Sequence, residues 1–196
     1  VPFESKSQSE ILDSLEKHEK VLDEKINIHG KIINVIFDVD ENTSIDNAKE
    51  ISNNIKNDIV LIHDGVRPLI NEKLLCRNIE DVMKYHTSIT SSIVKETIVE
   101  IDDIGDIKFV PDRAHSRVAK APQCFLLSDI LSAHEKALSD GIHTFIDSCT
   151  MMQYYGYALH MTEGPYENIK ITTPDDFYTM RAILQAKEDA QIYGIN

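Results

Sequence analysis

DIVLIHDGVRPLI, running from Asp58 to Ile70, changes character at its midpoint. Ile59 to Ile62 form an apolar, largely β-branched run with no polar alternation, the pattern of a strand buried on both faces of a parallel sheet. His63, Asp64 and Arg67 then crowd the carboxyl end of that strand, while Gly65 permits a tight turn and Pro68 blocks a return to strand. In open α/β sheets this edge is where ligands bind. A carboxylate and a guanidinium so placed can hold hydroxyls and an anionic group respectively. They can equally be a local ion pair that only shapes the loop.

Working outward, helical and extended patterns alternate. Upstream, Ser7 to Lys25 carries Ile11, Leu12, Leu15, Val21 and Leu22 at helical spacing behind a serine-rich capping signal. Lys31 to Val39 is β-rich and is expected as a second parallel strand. Thr43 to Ile55 returns to helical spacing and delivers the chain to Asp58. Downstream, Asn71 to Lys84 is expected as helix, Ser88 to Val99 as strand, and Leu127 to Leu138 as helix. Phe145 to Met152 turns into another helix, Ala158 to Gly164 and Asn168 to Thr172 read as short strands, and a last helix starts at Thr173. There Pro174 sits in the first turn, and Asp175 and Asp176 lie near the positive end. This β, α, β order with short connections predicts an α/β fold with a doubly wound, mostly parallel sheet, and the length of 196 residues predicts one domain.

One segment departs from the pattern. Glu100 to Ala121 places a turn at Asp103 to Asp106 between two extended pieces, followed by Lys108, Arg113, Arg117 and Lys120. It reads as a protruding β-hairpin arm over residues 100–121 that can reach a partner subunit. Four cations in so short a span suggest an anion site, although a solvated arm has the same composition.

Bulk properties narrow the function. With 20 Lys plus Arg against 33 Asp plus Glu, the formal charge of −13 argues against a nucleic acid or an anionic membrane as partner, so any anion site must be local. No apolar run approaches the length of a membrane span. Cys76, Cys124 and Cys149 are widely spaced and form no CxxC pair, so neither a disulfide framework nor a zinc site is expected, and a reducing cytoplasm fits. Neither Ser148 nor Cys149 has an evident histidine partner, which argues against a hydrolase.

HDGVRP (His63–Pro68), PDR (Pro111–Arg113), APQCF (Ala121–Phe125), IDSCT (Ile146–Thr150) and ENIKITTPDDF (Glu167–Phe177) occur together in one order. In these motifs the chain resembles the sugar-phosphate and polyol-phosphate cytidylyltransferases. That group includes the methylerythritol phosphate enzymes of isoprenoid biosynthesis and the ribitol 5-phosphate enzymes of teichoic acid and capsule biosynthesis. The resemblance implies a Rossmann-like nucleotidyltransferase fold and attack of a substrate phosphate on the α-phosphorus of CTP, releasing pyrophosphate, with Mg2+ held mainly through the CTP phosphates.

It further implies roles for particular residues. Asp64 and Arg67 are expected on the acceptor, Asp64 through hydroxyls and Arg67 near the phosphate. Lys170 and Arg67 are the expected catalytic cations, and Lys170 also touches the nucleotide. Thr97 and Arg113 are expected to reach from the arm into a neighbouring site, which implies a homodimer. Asp147 and Thr150 mark a turn facing the substrate, Gln123 and Pro122 shape a wall, and Asn47 is the expected cytosine contact. No protein metal ligand is expected.

Departures from the family pattern refine these expectations. Ala121 and Ile146 stand where methylerythritol enzymes usually carry threonine, and with KAPQCF and IDSCTMMQYYG they favour D-ribitol 5-phosphate as acceptor and CDP-ribitol as product. 2-C-Methyl-D-erythritol 4-phosphate is the alternative. Nothing corresponds to the family's opening strand and glycine-rich loop, so roughly fifty residues of the usual domain are expected upstream of Val1. A non-catalytic dimeric scaffold that has lost that loop is the reading from another class.

Overall fold

The structure is a computed structural model that describes residues 24–28, 31–35 and 56–193. The chain divides into two units, Val1–Ser52 and Asn53–Asn196. In the first, β1 (Glu24–Ile28) and β2 (Lys31–Val35) pair antiparallel, with Ile28 opposite Lys31 and Glu24 opposite Val35. Lys31–Val35 is therefore half of a hairpin rather than a parallel strand, and Glu24 and Lys25 belong to its other half rather than to a helix. A two-residue gap containing Gly30 is the local signal for that pairing. The remainder of the expected Ser7 to Lys25 helix, the Thr43 to Ile55 helix and Asn47 lie outside the described residues.

The second unit is built on a four-stranded sheet in the order β3–β7–β4–β8. Its strands are β3 (Ile59–Ile62), β4 (Thr87–Ile93), β7 (Arg117–Leu126) and β8 (Met161–Glu163). β4 and β8 pair parallel, whereas β7 runs antiparallel to both of its neighbours. Three strands thus point the same way and one inverted strand is threaded among them, so the sheet is mixed, with one parallel and two antiparallel pairings, rather than mostly parallel. β3 is half-buried along its whole length rather than covered on both faces.

Helix α1 (Glu72–Tyr85) starts where the Asn71 side chain accepts a hydrogen bond from the Leu74 amide. It ends where His86 adopts a left-handed conformation (φ 69°) and its amide bonds the Val82 carbonyl. Leu74, Ile79 and Val82 bury one face against the sheet, each fully buried side chain contributing about 1.5–3 kcal/mol. Asn78 lies on the same buried face. Its Oδ1 accepts from the Ser88 and Thr90 hydroxyls and its Nδ2 donates to the Leu74 carbonyl, which explains how β4 buries serine and threonine without stranding them.

Helix α2 (Leu127–Ser139) follows β7 directly and buries Leu127, Ile130, Leu131, Ala133 and Ala137. Its chain reverses through Gly141 in the left-handed region (φ 70°). α3 (Ser148–Tyr154) is capped by Asp147 and buries Met151 and Met152. α4 (Pro174–Tyr193) starts as the sequence predicts, with Asp175 and Asp176 in its first turn. Between β8 and α4, Gly164 admits close packing, because a Cβ there would meet Thr90 Cγ2 at 2.6 Å.

Three expectations change. β4 stops at Ile93, so Thr97 lies in an exposed loop and not in a strand. NIKIT forms no strand; its backbone is held instead by individual bonds, among them Ile171 N to Val66 O at 2.9 Å. The arm is a short exposed hairpin of β5 (Glu100–Ile101) and β6 (Ile107–Phe109), while Arg117–Ala121 forms the first half of central strand β7.

Candidate active site

Because β3, β4 and β8 share one direction, their carboxyl ends open on the same edge, and inverted β7 brings its amino-terminal half there too. An open cleft of about 500 Å³ lies at this edge. Its lining comes from Arg67 after β3, from Ser92 to Glu96 at the end of β4, from Val118 and Lys120 on β7, and from Tyr166, Ile169 and Lys170 after β8. This is the edge at which α/β sheets bind ligands.

The turn after β3 is closed by a hydrogen bond from Arg67 N to Asp64 O at 3.0 Å. It folds the Arg67 guanidinium back on the carboxylate, with Nε 2.9 Å from Asp64 Oδ2, and Nη1 reaches the Asn168 carbonyl oxygen at 3.1 Å. Lys170 Nζ lies 3.6 Å from the same Asp64 oxygen. Asp64, Arg67 and Lys170, predicted from motifs more than a hundred positions apart, therefore meet. Asp64 Oδ1 accepts no hydrogen bond among the described residues, so the carboxylate retains an acceptor for a hydroxyl.

His63 supports the turn from beneath. Its Nε2 donates to the Arg67 carbonyl oxygen at 3.1 Å. Burial lowers its pKa, outweighing the upward pull of that bond and of Asp64, so the ring is neutral near pH 7. An uncharged imidazole here adds no repulsion to the guanidinium beside it.

Asn168 fixes the NIKIT segment. It is fully buried, and its Nδ2 donates to the Ala121 carbonyl at 2.7 Å. Ala121 lies in a bulge: Ser91 is opposite Ala119 and Ile89 is opposite Gln123, so Lys120, Ala121 and Pro122 together face the single residue Thr90. The bulge frees the Ala121 carbonyl from the ladder, and Asn168 satisfies it.

The other expected residues are placed differently. Arg113 Nη1 donates to the Lys95 carbonyl at 3.3 Å, at the lip of the cleft. Thr97 lies in the exposed loop after Lys95 and does not line the cleft. Asp147 Oδ1 accepts from the amide and hydroxyl of Thr150, and Asp147 Oδ2 accepts from the Gln123 side-chain nitrogen Nε2 at 2.8 Å. Burial raises the Asp147 pKa, but these bonds together outweigh it and hold the carboxyl below its usual value. Asp147 and Thr150 thus form a helix cap bonded to the Gln123 wall, and neither lines the cleft.

Lys95 and Tyr166 escaped the sequence reading. Lys95 Nζ sits 3.3 Å from the centroid of the Tyr166 ring. A cation just past a strand's carboxyl end was the usable signal, hidden because the β-branched run was read through to Val99.

A family model for IspD, 2-C-methyl-D-erythritol 4-phosphate cytidylyltransferase, matches residues 6–186. The chain belongs to this family. Among curated relatives, "Ribitol-5-phosphate cytidylyltransferase" of Streptococcus agalactiae serotype V is 54% identical over 137 residues, which is 70% of this chain and 57% of the relative. A protein of the same name from Vibrio parahaemolyticus serotype O3:K6 is 48% identical over 138 residues, 70% of this chain and 58% of that one. The chain thus spans under three fifths of the length of these relatives. The crystal structure of 4-diphosphocytidyl-2C-methyl-D-erythritol synthase from Anaerococcus prevotii superposes with a TM-score of 0.68 at 29% identity, covering 91% of this chain and 74% of that one. The IspD family membership agrees with the resemblance carried by HDGVRP and NIKIT.

Proposed function

We propose that the protein transfers CMP from CTP to a polyol phosphate, with D-ribitol 5-phosphate as acceptor, giving CDP-ribitol and pyrophosphate. The observation that carries this reading is the convergence of Arg67, Lys95, Lys120 and Lys170 on one cleft of a strongly acidic chain, beside a carboxylate with a spare acceptor oxygen. An acceptor phosphate oxygen attacks the α-phosphorus, the new P–O bond forms as the α–β anhydride bond breaks, and pyrophosphate carries away the electron pair. Little covalent chemistry falls to the protein, so positioned cations supply much of the stabilisation. Arg67, with its planar fork, suits the acceptor phosphate, Asp64 suits a polyol hydroxyl, and Lys170 suits charge developing at the transferred phosphoryl group.

Magnesium would arrive on the CTP phosphates, and it would supply Lewis-acid charge neutralisation there. The names of the curated relatives support ribitol 5-phosphate over methylerythritol phosphate, which the family description favours. The three free cysteines are compatible with a cytoplasmic enzyme, and no helix among the described residues is long and apolar enough to cross a membrane.

Assembly is part of the same proposal. Ile101, Ile104, Ile107 and Phe109 expose apolar surface on the arm, which suits docking against a second copy of the chain and carrying Thr97 and Arg113 toward a neighbouring site. Pyrophosphate release from CTP and magnesium with D-ribitol 5-phosphate tests the reaction. Turnover with 2-C-methyl-D-erythritol 4-phosphate and none with ribitol 5-phosphate would transfer the assignment to the alternative acceptor, and silence with both would favour a non-catalytic role.

A further inference from the structure

The lysine in the β7 bulge lines the cleft but has no individual role among those assigned so far. Lys120 is only 8% exposed, and its Nζ donates to the Tyr166 carbonyl oxygen at 3.1 Å. No carboxylate among the described residues lies within ion-pair distance of it. Burying an ammonium with three donors against one neutral acceptor is unfavourable, and lysine is almost never buried without a partner. The backbone nevertheless bulges at this residue, and bulges beside a cleft redirect a side chain.

The surroundings deepen the imbalance. Two ammonium groups approach the Tyr166 ring, with Lys95 Nζ at 3.3 Å and Lys120 Nζ at 5.2 Å from its centroid. The ring's negative face offsets part of the repulsion between them. Arg67 and Lys170 line the same cleft, and Glu96 is the one acidic residue among the described residues that line it. Burial, then Arg67, lowers the Lys120 pKa; Lys95 adds to this and Glu167 opposes it without reversing the outcome. A multiply charged anion would complete the ammonium's hydrogen bonding and relieve the repulsion together. A neutral polyol would do neither.

We propose that Lys120, re-aimed by the β7 bulge and sharing the Tyr166 ring with Lys95, is a specificity-determining residue that binds a phosphate monoester dianion and selects a phosphorylated over an unphosphorylated polyol. This rests on the acceptor assignment above. The chemistry recognised is a phosphate group, which either the acceptor or the pyrophosphate leaving group could bring.

Calorimetric titration of the 196-residue chain near neutral pH separates these possibilities, using D-ribitol 5-phosphate, ribitol and inorganic pyrophosphate as probes. Ribitol 5-phosphate should bind at least tenfold more tightly than ribitol. Lys120→Met should weaken it by roughly 10- to 150-fold, the factor for one charge-assisted hydrogen bond, and erase most of the preference over ribitol, while Lys120→Arg should recover part of it. Methionine suits a buried site, so the thermal midpoint of Lys120→Met should not fall; Lys120→Gln serves if that variant does not fold. Unchanged ribitol 5-phosphate affinity in Lys120→Met would overturn the role of Lys120 and leave the acceptor assignment standing. Lys120-dependent binding of pyrophosphate alone would overturn both the acceptor assignment and the monoester selectivity, assigning the lysine to the leaving group. Absence of binding by any probe would overturn the subsite.

Discussion

Asn168→Ala tests whether the site is held together through the β7 bulge. The wild-type carboxamide is fully buried and donates to the Ala121 carbonyl at 2.7 Å, and the residue's own carbonyl accepts from Arg67. Alanine deletes the donor and leaves a buried carbonyl without its partner, a loss of about 1–3 kcal/mol. Asn168 Oδ1 has no hydrogen-bond partner among the described residues, so its removal restores a little and places the expected loss in the lower half of that range. Activity should suffer more than stability. Lys170 is two residues away and its segment has no ladder to fix it, so loosening Asn168 changes the separation of Lys170 and Asp64, now 3.6 Å. Displacements of about 1 Å cost roughly 100-fold in rate. Urea denaturation and pyrophosphate release from CTP and D-ribitol 5-phosphate measure the two effects on one preparation. A variant within about 0.5 kcal/mol of wild-type stability that also retains its rate would refute the anchoring role. Loss of rate strictly in proportion to unfolded protein would refute the positioning argument while sparing the hydrogen bond.

Lys170→Ala should lower turnover by about 100- to 1000-fold, as expected for one lost charge-stabilising donor, with stability within about 1 kcal/mol because its ion pair is half-exposed; an unchanged rate would remove Lys170 from the chemistry. Asp176 accepts hydrogen bonds from the amides and hydroxyls of Thr172 and Thr173, which hold its carboxyl down at about 2 from 3.8. Its contribution is present above the unfolded value and is lost as pH falls through about 2, so Asp176→Asn should flatten the decline of the melting temperature across that window, and an unaltered slope would contradict the cap. Ile104→Asp combined with Ile107→Asp should convert the proposed dimer to monomer in sedimentation, and a dimer of unchanged affinity would exclude the arm from the interface.

The helices of the second unit were legible because their signals are local. Asn71 before LLCRNIEDV, Asp147 before CTMM, and Thr173 with Pro174 and Asp176 each combine a cap with helical spacing. Strands were harder. β7 contains Lys120, Pro122 and Gln123, shows no alternation, and acquires its partners only through residues far away in the sequence. NIKIT has the β-branched composition of a strand, but a buried asparagine, the Arg67 guanidinium and the Ile171 to Val66 backbone bond hold it instead. The Asp64–Arg67–Lys170 cluster was readable because the motifs carrying it are distinctive together. Lys120 was visible only as one cation among four, since nothing local announces a bulge.

The inverted strand at the centre of the sheet also constrains the order in which the protein can take shape. β3 and β4 emerge before β7 during synthesis, yet each finds a neighbour in it, with Ile59 pairing to Leu126 and Thr87 to Phe125. Until the ribosome has released that later strand, two strand edges wait without partners. Closing such long loops slows folding, and exposed edges in the interval invite pairing with other chains. Truncation before Arg117 should therefore yield an aggregating product rather than a smaller folded one, because β3 and β4 then both lose the strand that lies between them.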